Sequence, residues 1–352
     1  MMQFLDSADH YDQTAYMMLK WTTNDGGGSS TASGRNGRGI VPGQGLGLTL
    51  DYQTGWVLGF AFNLQGQTSV GSGIIYELSA TNAVPLIRLV IENDFTLSVY
   101  SGIGQAGHPG NLIATSQGPA VKGLVWNYVE IKIALSGSTP ITAVVSLQLN
   151  GQLIVNAVSG SCQQNASSTI TGLAEANFHK FSAPGGGDGL IIDDIYIADM
   201  SGAGLVNTFV GDVSLFSFFP NADDITNWAA VGGSTSTLFD HVNDQFAETN
   251  DDTVYIKDGT VNDIYSCYYQ PIPLFGGTVP AIQLVALNRK DSEGTRTWQF
   301  YGNGGVLGSA PFGPFAAIDS YQYNFCALDS NGGSSWTQGA VNGSNWGAKI
   351  IS

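Results

Sequence analysis

Ile191-Ile192-Asp193-Asp194-Ile195-Tyr196-Ile197-Ala198-Asp199, followed by Phe209-Val210-Gly211-Asp212-Val213, is the stretch whose reading decides the fold. The first run is β-branched and aromatic, short, and preceded by the loop Gly185-Gly186-Gly187-Asp188-Gly189, which is the pattern of a buried strand. It reads as the strand that closes one β-sandwich, with the second run launching another. The expected architecture is all-β: two β-sandwich domains in tandem, residues 1–203 and 204–352, hinged at Ser201-Gly202-Ala203-Gly204. The double acid is the odd element. Strict alternation puts Asp193, Ile195 and Ile197 on one side of the strand and Ile192, Asp194 and Tyr196 on the other. One carboxylate is then expected on or beside an inward face, where hydrogen bonds or a cation must offset its desolvation.

Composition agrees with this outline. At 352 residues the chain is comfortable for two cores. Gly makes up 47 residues and charged residues only 11%, against a usual charged fraction of about 25%. Helices would need more Glu, Lys and Arg on their solvent faces, whereas Ser, Thr, Asn, Gln and Gly suit strands joined by tight turns. A net charge of −16 repels phosphate backbones and anionic membranes, so no nucleic-acid partner and no membrane insertion are expected. Cys162, Cys267 and Cys326 are widely separated and odd in number, so they are expected to be buried thiols rather than a disulfide or zinc framework. The first residues carry neither a basic segment nor an apolar one, and the chain is expected to be made in a cytoplasm.

From Ile40 onward the sequence is strand after strand: Leu46 to Tyr52, Gly55 to Leu64, Gly73 to Ser79, Leu86 to Glu92 and Thr96 to Tyr100. In Trp126-Asn127-Tyr128-Val129-Glu130-Ile131-Lys132-Ile133 the apolar Val129, Ile131 and Ile133 share one face, and Trp126, Tyr128, Glu130 and Lys132 the other. Asn150-Gly151 between two alternating runs is a hairpin signal, because both central residues of a type I′ turn need positive φ. Beyond the hinge, Pro220-Asn221-Ala222-Asp223-Asp224 reads as a turn. Val254 to Ile256, Asp263 to Tyr269, Ala281 to Asn288, Arg296 to Tyr301 and Ser320 to Ala327 read as strands of the second sandwich.

The Trp126 to Glu130 start, the Leu149-Asn150-Gly151-Gln152-Leu153 hairpin and the Ile192 to Ile197 strand, in that order, resemble the late strands of a concanavalin A-like, laminin-G-like jelly roll. That resemblance assigns residues 1–203 to this fold. A wider set comprises Phe4, Asp6, His10-Tyr11, Lys20-Trp21, Phe209 to Val213, Pro220, Trp228, Asp252 to Ile256, and Trp336-Thr337 to Val341-Asn342 and Gly347. It resembles structural proteins of tailed bacteriophages, although Ser7-Ala8 stands where an aromatic is expected. The resemblance implies a virion location, a tail-associated, fibre or capsid-decorating role, other virion proteins as partners, and a homo-oligomer.

The chemistry-bearing residues add little to that. His10, His108, His179 and His241 show no metal or triad spacing. The chain has six Glu, none in a glucanase-like strand. Asp193 and Asp194, read on opposite faces, are wrong for a glycosidase pair, which needs carboxyls about 5 to 9.5 Å apart across one site. The chain is therefore expected not to be an enzyme, with a polysaccharide depolymerase as the enzymatic rival. A second alternative is a lectin-like module binding a host surface glycan through Trp126 and Tyr128, since sugar sites use aromatic platforms ringed by polar groups. No cofactor is expected, with Ca2+ left open at Asp188, Asp193 and Asp194, where hard oxygen ligands cluster.

Overall fold

In a computed structural model of the chain, the residues described are 2–9, 11, 17, 20–21, 23–24, 29–43, 45–65, 72–79, 85–102, 110–136, 141–162, 173–179, 181, 189–201, 207–233, 237–243, 254–273, 278–289, 295–308, 310–314, 322–328 and 335–352. They form two compact units, Met1–Leu215 and Phe216–Ser352. The division falls after Leu215 rather than at the expected 203/204, because residues 207–215 are fastened to the first unit by side chains described below.

The strands of the first unit are β1 (Met2–Asp6), β2 (Thr23–Asn24), β3 (Ser30–Ser33), β4 (Arg38–Val41), β5 (Gly45–Gln53), β6 (Gly55–Asn63), β7 (Gly73–Ser79), β8 (Pro85–Ile91), β9 (Leu97–Ser101), β10 (Asn111–Thr115), β11 (Asn127–Ser136), β12 (Thr142–Leu149), β13 (Gln152–Ser161), β14 (Leu173–His179) and β15 (Ile191–Asp199). They build an antiparallel sandwich. One sheet has eight strands in the order β13-β12-β11-β6-β15-β4-β3, with β1 also pairing β15; the other has seven, β10-β9-β8-β7-β14-β5-β2. The Asn150-Gly151 hairpin is present, with φ of 51° and 76° at the two turn residues. Between the sheets, Phe60 of β6 meets Phe178 of β14 edge-on at 5.0 Å and Tyr76 of β7 at 6.1 Å. Trp21 continues this stack to Phe4 at 5.0 Å. Each such ring taken out of water contributes about 1.5–3 kcal/mol.

One end of β1 is held by a buried carboxylate. Asp6 Oδ2 accepts from Tyr11 OH at 2.6 Å and Trp21 Nε1 at 2.9 Å, Asp6 Oδ1 accepts from Ala8 N at 2.8 Å, and Lys20 Nζ lies 3.7 Å from Oδ2. Burial pulls the Lys20 ammonium down to about 8, against the pull of Asp6 in the other direction.

The second unit contains β16 (Pro220–Thr226), β17 (Ala229–Val231), β18 (Tyr255–Lys257), β19 (Ile264–Tyr269), β20 (Ile282–Asn288), β21 (Trp298–Gly302), β22 (Gly305–Val306), β23 (Gln322–Leu328) and β24 (Trp346–Ile350). A five-stranded sheet, β16-β19-β24-β21-β22, accompanies the two-stranded ribbons β17-β18 and β20-β23. Trp298, Phe300, Trp346 and Ile350 of the sheet join Leu284, Cys326 and Trp336 in one core. Pro220 to Asp224 is an edge strand, not the expected turn. It is bulged at two places against β19, and its acids serve as acceptors: Asp223 takes Leu238 N and Phe239 N at 2.8 and 2.7 Å, and Asp224 takes Ser266 Oγ at 2.9 Å. Turn-type residues are tolerated there because an edge has a free side. The three cysteines are free and buried. Among the described residues no helix is long and apolar enough to cross a membrane.

Candidate functional site on the sandwich faces

Polar side chains gather on both outward faces of the first unit, and they are held differently. On the eight-stranded sheet, Val129, Ile131 and Ile133 of β11 pair with Phe60, Leu58 and Trp56 of β6 and face the core. Tyr128, Glu130 and Lys132 therefore point outward, as alternation requires. Tyr128 and Glu130 are nonetheless buried and Lys132 half-buried, and residues 207–215 form a strap against this face. Glu130 Oε1 accepts from Val210 N at 2.7 Å, Gly211 N at 3.0 Å and Tyr196 OH at 2.5 Å. Lys132 Nζ donates to Asn207 O at 3.1 Å, and Leu215 N donates to Asp194 Oδ1 at 2.6 Å. From the β3–β4 connection, Arg35 Nη1 donates to Asp212 Oδ1 at 2.6 Å, Val213 O at 3.0 Å and Asp194 Oδ2 at 3.4 Å.

Of the expected glycan platform, Tyr128 is 2% exposed, with the Arg35 guanidinium 5.8 Å from its ring centre. Trp126 is half-buried in the segment entering β11. The structure thus places Tyr128 beneath the strap.

Asp193 and Asp194 depart from the opposite-face expectation. Both reach Arg35: its backbone N–H donates to Asp193 Oδ2 at 2.6 Å, and its guanidinium reaches Asp194 Oδ2. The reason is a β-bulge. Asp193 pairs with Ala61 and Tyr196 with Gly59, so three residues of β15 span two of β6, and Asp194 takes φ of 50°. One inserted residue turns consecutive side chains toward the same side. All four carboxylate oxygens accept from N–H groups, the remaining one from Asp194 N at 2.7 Å. A cation at Asp193 and Asp194 would have to displace those donors. Burial and then the neighbouring Asp194 charge push Asp193 up to about 8. Burial pushes Asp194 up to about 6, against the lowering pull of Leu215 N–H and Arg35. Asp188, the third expected ligand, lies outside the described residues. Among the described residues no group of three or more His, Cys, Asp or Glu could hold a metal ion.

The seven-stranded sheet carries a different outward face. Asn177 of β14 pairs with Gly47 of β5 and Glu77 of β7; Glu77 pairs with Arg88 of β8, and Arg88 with Tyr100 of β9. Paired residues share a face, so Gly47, Asn177, Glu77, Arg88 and Tyr100 form one row across five strands. Their chain neighbours Phe178, Tyr76, Leu89 and Val99 fill the core. Arg88 Nε donates to Glu77 Oε2 at 2.7 Å, and Ser79 Oγ to Glu77 Oε1 at 2.9 Å. His179 Nε2 lies 3.9 Å from Glu77 Oε2, with the His179 side chain 29% exposed. Tyr100 OH donates to Glu92 Oε1 at 2.8 Å; burial and Glu92 both push this phenol up, which keeps its proton in place. Opposite Asn177 and His179 stand Gly47 and Gly45, both buried.

Sequence reasoning missed this row. Its signals were present as single charges in apolar runs, Glu77 in Ile74-Ile75-Tyr76-Glu77-Leu78 and Arg88 in Leu86-Ile87-Arg88-Leu89-Val90, and as the alternation of Glu175, Asn177 and His179. What joins them is a strand pairing between β14 and β7, far apart in sequence.

No family model matches the chain, and no curated protein does. Solved structures that align include a glucuronan lyase from the fungus Trichoderma reesei, at 13% identity and TM-score 0.36 over 56% of this chain and 96% of that one. A marine alginate lyase from Aplysia kurodai aligns at 11% and 0.36 over 55% and 97%, and the cellulose induced protein Cip1 at 16% and 0.38 over 56% and 97%. The expectation of a non-enzymatic virion component is corrected at this point. The two lyases and the cellulose induced protein are not virion parts by their names, and the expectation that the chain is not an enzyme is withdrawn with it.

Proposed function

We propose that the first unit engages a polysaccharide across the outward face of its seven-stranded sheet and acts on it as a depolymerase. The observation that carries this is the in-register row Asn177, Glu77, Arg88 and Tyr100, with His179 beside it. Such a row offers an extended sugar chain what it needs. Arg88 and Asn177 donate hydrogen bonds to hydroxyl or carboxylate oxygens. The His179 imidazole can take up a proton, and Tyr100 can supply a phenolic one. Glu77 holds Arg88 in place through the 2.7 Å contact. Breaking a glycosidic link by proton transfer requires a positioned base, an acid and a group that stabilises developing negative charge, and this row contains all three types.

The test is a panel of acidic and neutral polysaccharides incubated with the full chain and with Arg88→Ala and His179→Ala. Cleavage by the wild type, cut at least tenfold in either variant, supports the reading. Ultraviolet absorbance from a new carbon–carbon double bond indicates elimination, whereas reducing ends without it indicate hydrolysis. Neither binding nor cleavage across the panel would overturn the proposal, as would full activity in both variants.

A further inference from the structure

The fastening of the strap on the opposite sheet is lopsided. Glu130 Oε1 takes three donors, whereas Glu130 Oε2, also buried, takes none. The buried Tyr128 hydroxyl is likewise without a partner. A carboxylate oxygen withdrawn from water and given no donor penalises the charged form. The charges around it add to that penalty. Asp9 follows β1; Arg35 comes from the β3–β4 connection and Arg38 from the start of β4; Tyr128, Glu130 and Lys132 belong to β11; Asp193, Asp194 and Tyr196 belong to β15; and Asp212 lies on the strap itself. Five acids thus face three bases in a largely buried cluster.

We propose that residues 207–215 are a proton-dependent latch: the strap stays seated on the eight-stranded sheet while Glu130 and Asp194 hold protons, and lifts as they lose them, freeing the chain ahead of Phe216. The inference is independent of the polysaccharide reading. Burial raises Glu130 above its ordinary value, opposed by the bonds from Tyr196, Gly211 and Val210, and raises Asp194 to about 6. When the strap lifts, both carboxyls regain water and return toward ordinary values. The seated form therefore binds protons more tightly, so seating is favoured at low pH and weakens as pH rises through the raised values. Protonated Glu130 can still accept through Oε1.

Hydrogen exchange, corrected for intrinsic rates and resolved to the amides of Val210, Gly211 and Leu215, tests the latch between about pH 5 and about pH 8. Protection at Leu215 is expected to fall about tenfold across that window, the part of the Asp194 change that lies above about pH 5, and protection at Val210 and Gly211 is expected to fall in the same direction. Glu130→Gln keeps an acceptor at Oε1 and cannot ionise. It should flatten the dependence at Val210 and Gly211 while leaving that of Leu215. Core amides of β6 and β15 in the same wild-type sample are the internal reference, which also decides the matter should the variant fail to fold. A fall confined to the strap supports the latch. Flat protection in the wild type, a slope shared with the core strands, or an unchanged slope in a folded Glu130→Gln protein would overturn it.

Discussion

The two outward faces of the first unit carry much the same residue types and put them to opposite uses. On the eight-stranded sheet, Glu130, Asp194 and Arg35 spend their capacity on a strap from the same chain, mostly on backbone groups: Val210 N, Gly211 N, Leu215 N and Val213 O. On the seven-stranded sheet, Arg88, Glu77 and Tyr100 engage other side chains. Backbone partners belong to the fold and cannot be exchanged for a ligand without unseating a segment. Side-chain partners can rotate and re-pair with an incoming hydroxyl or carboxylate. A polar face is therefore structural or functional according to what answers it, not according to its composition.

If that contrast holds, damage to the strapped face should be paid in stability and damage to the ladder in function. The largest effect is expected from Asp194→Ala, which leaves Leu215 N–H without its acceptor, takes one of three acceptors from the Arg35 guanidinium and puts alanine at a φ of 50°. A loss of about 3–4 kcal/mol follows from stripping one partner of a buried charge pair, read from the urea midpoint at constant slope. A loss below about 1 kcal/mol would mean that the bulge tolerates a neutral residue and the contrast is too strong. Next comes pH. Asp193 and Asp194 are raised to about 8 and about 6 from an ordinary 3.8, so the folded first unit binds protons more tightly than the unfolded chain. Their contribution is complete below about pH 4 and is lost as pH rises through about 6 and then about 8. Urea unfolding followed on β6 amides at several pH values would show it, and greater stability at the alkaline end would refute the sign.

A smaller loss is expected from Gly59→Ala. A methyl on Gly59 would stand 2.2 Å from Tyr196 Cε1 and 2.8 Å from the Tyr128 hydroxyl, and the strap keeps either ring from swinging outward. Overpacking of this kind costs about 1–2 kcal/mol. Thermal unfolding of the variant measures it, and a neutral outcome would show that the rings under the strap have room to move.

These residues also mark how far the sequence could be read. Strands β6, β7, β11 and β12 and the Asn150-Gly151 hairpin were legible because period-two alternation and a positive-φ turn are local properties. Asp193 and Asp194 were misplaced because counting by twos cannot register an inserted residue; the bulge is set by pairing with β6, over 100 residues away in sequence. The covering of Tyr128 was invisible for a different reason. Its strap is held by main-chain N–H groups, which nearly every residue owns and no motif advertises. Pro220 to Asp224 has the composition of a turn, and only its position at a sheet edge allows it to be a strand. The ladder sat between these cases: Glu77 and Arg88 stood out as charges in apolar runs, but nothing local said that they were neighbours.

The smallest structural effect, and the sharpest discrimination, is expected from Tyr100→Phe. The substitution removes one oxygen at the end of the row, whose bond to Glu92 is a side-chain contact at 2.8 Å on a half-buried ring. Ring packing is retained and Glu92 keeps its bond from Ser72 at 2.6 Å, so stability should change by less than about 1 kcal/mol. Were the seven-stranded face merely a second structural surface, nothing else would change either. If Tyr100 supplies a proton to the sugar chain, turnover falls at least tenfold while affinity for the polymer stays within about twofold, because the lost group acts in the transition state and not in binding. A stable, folded and fully active Tyr100→Phe protein would remove the phenol from the site and confine the chemistry to Arg88, Asn177 and His179.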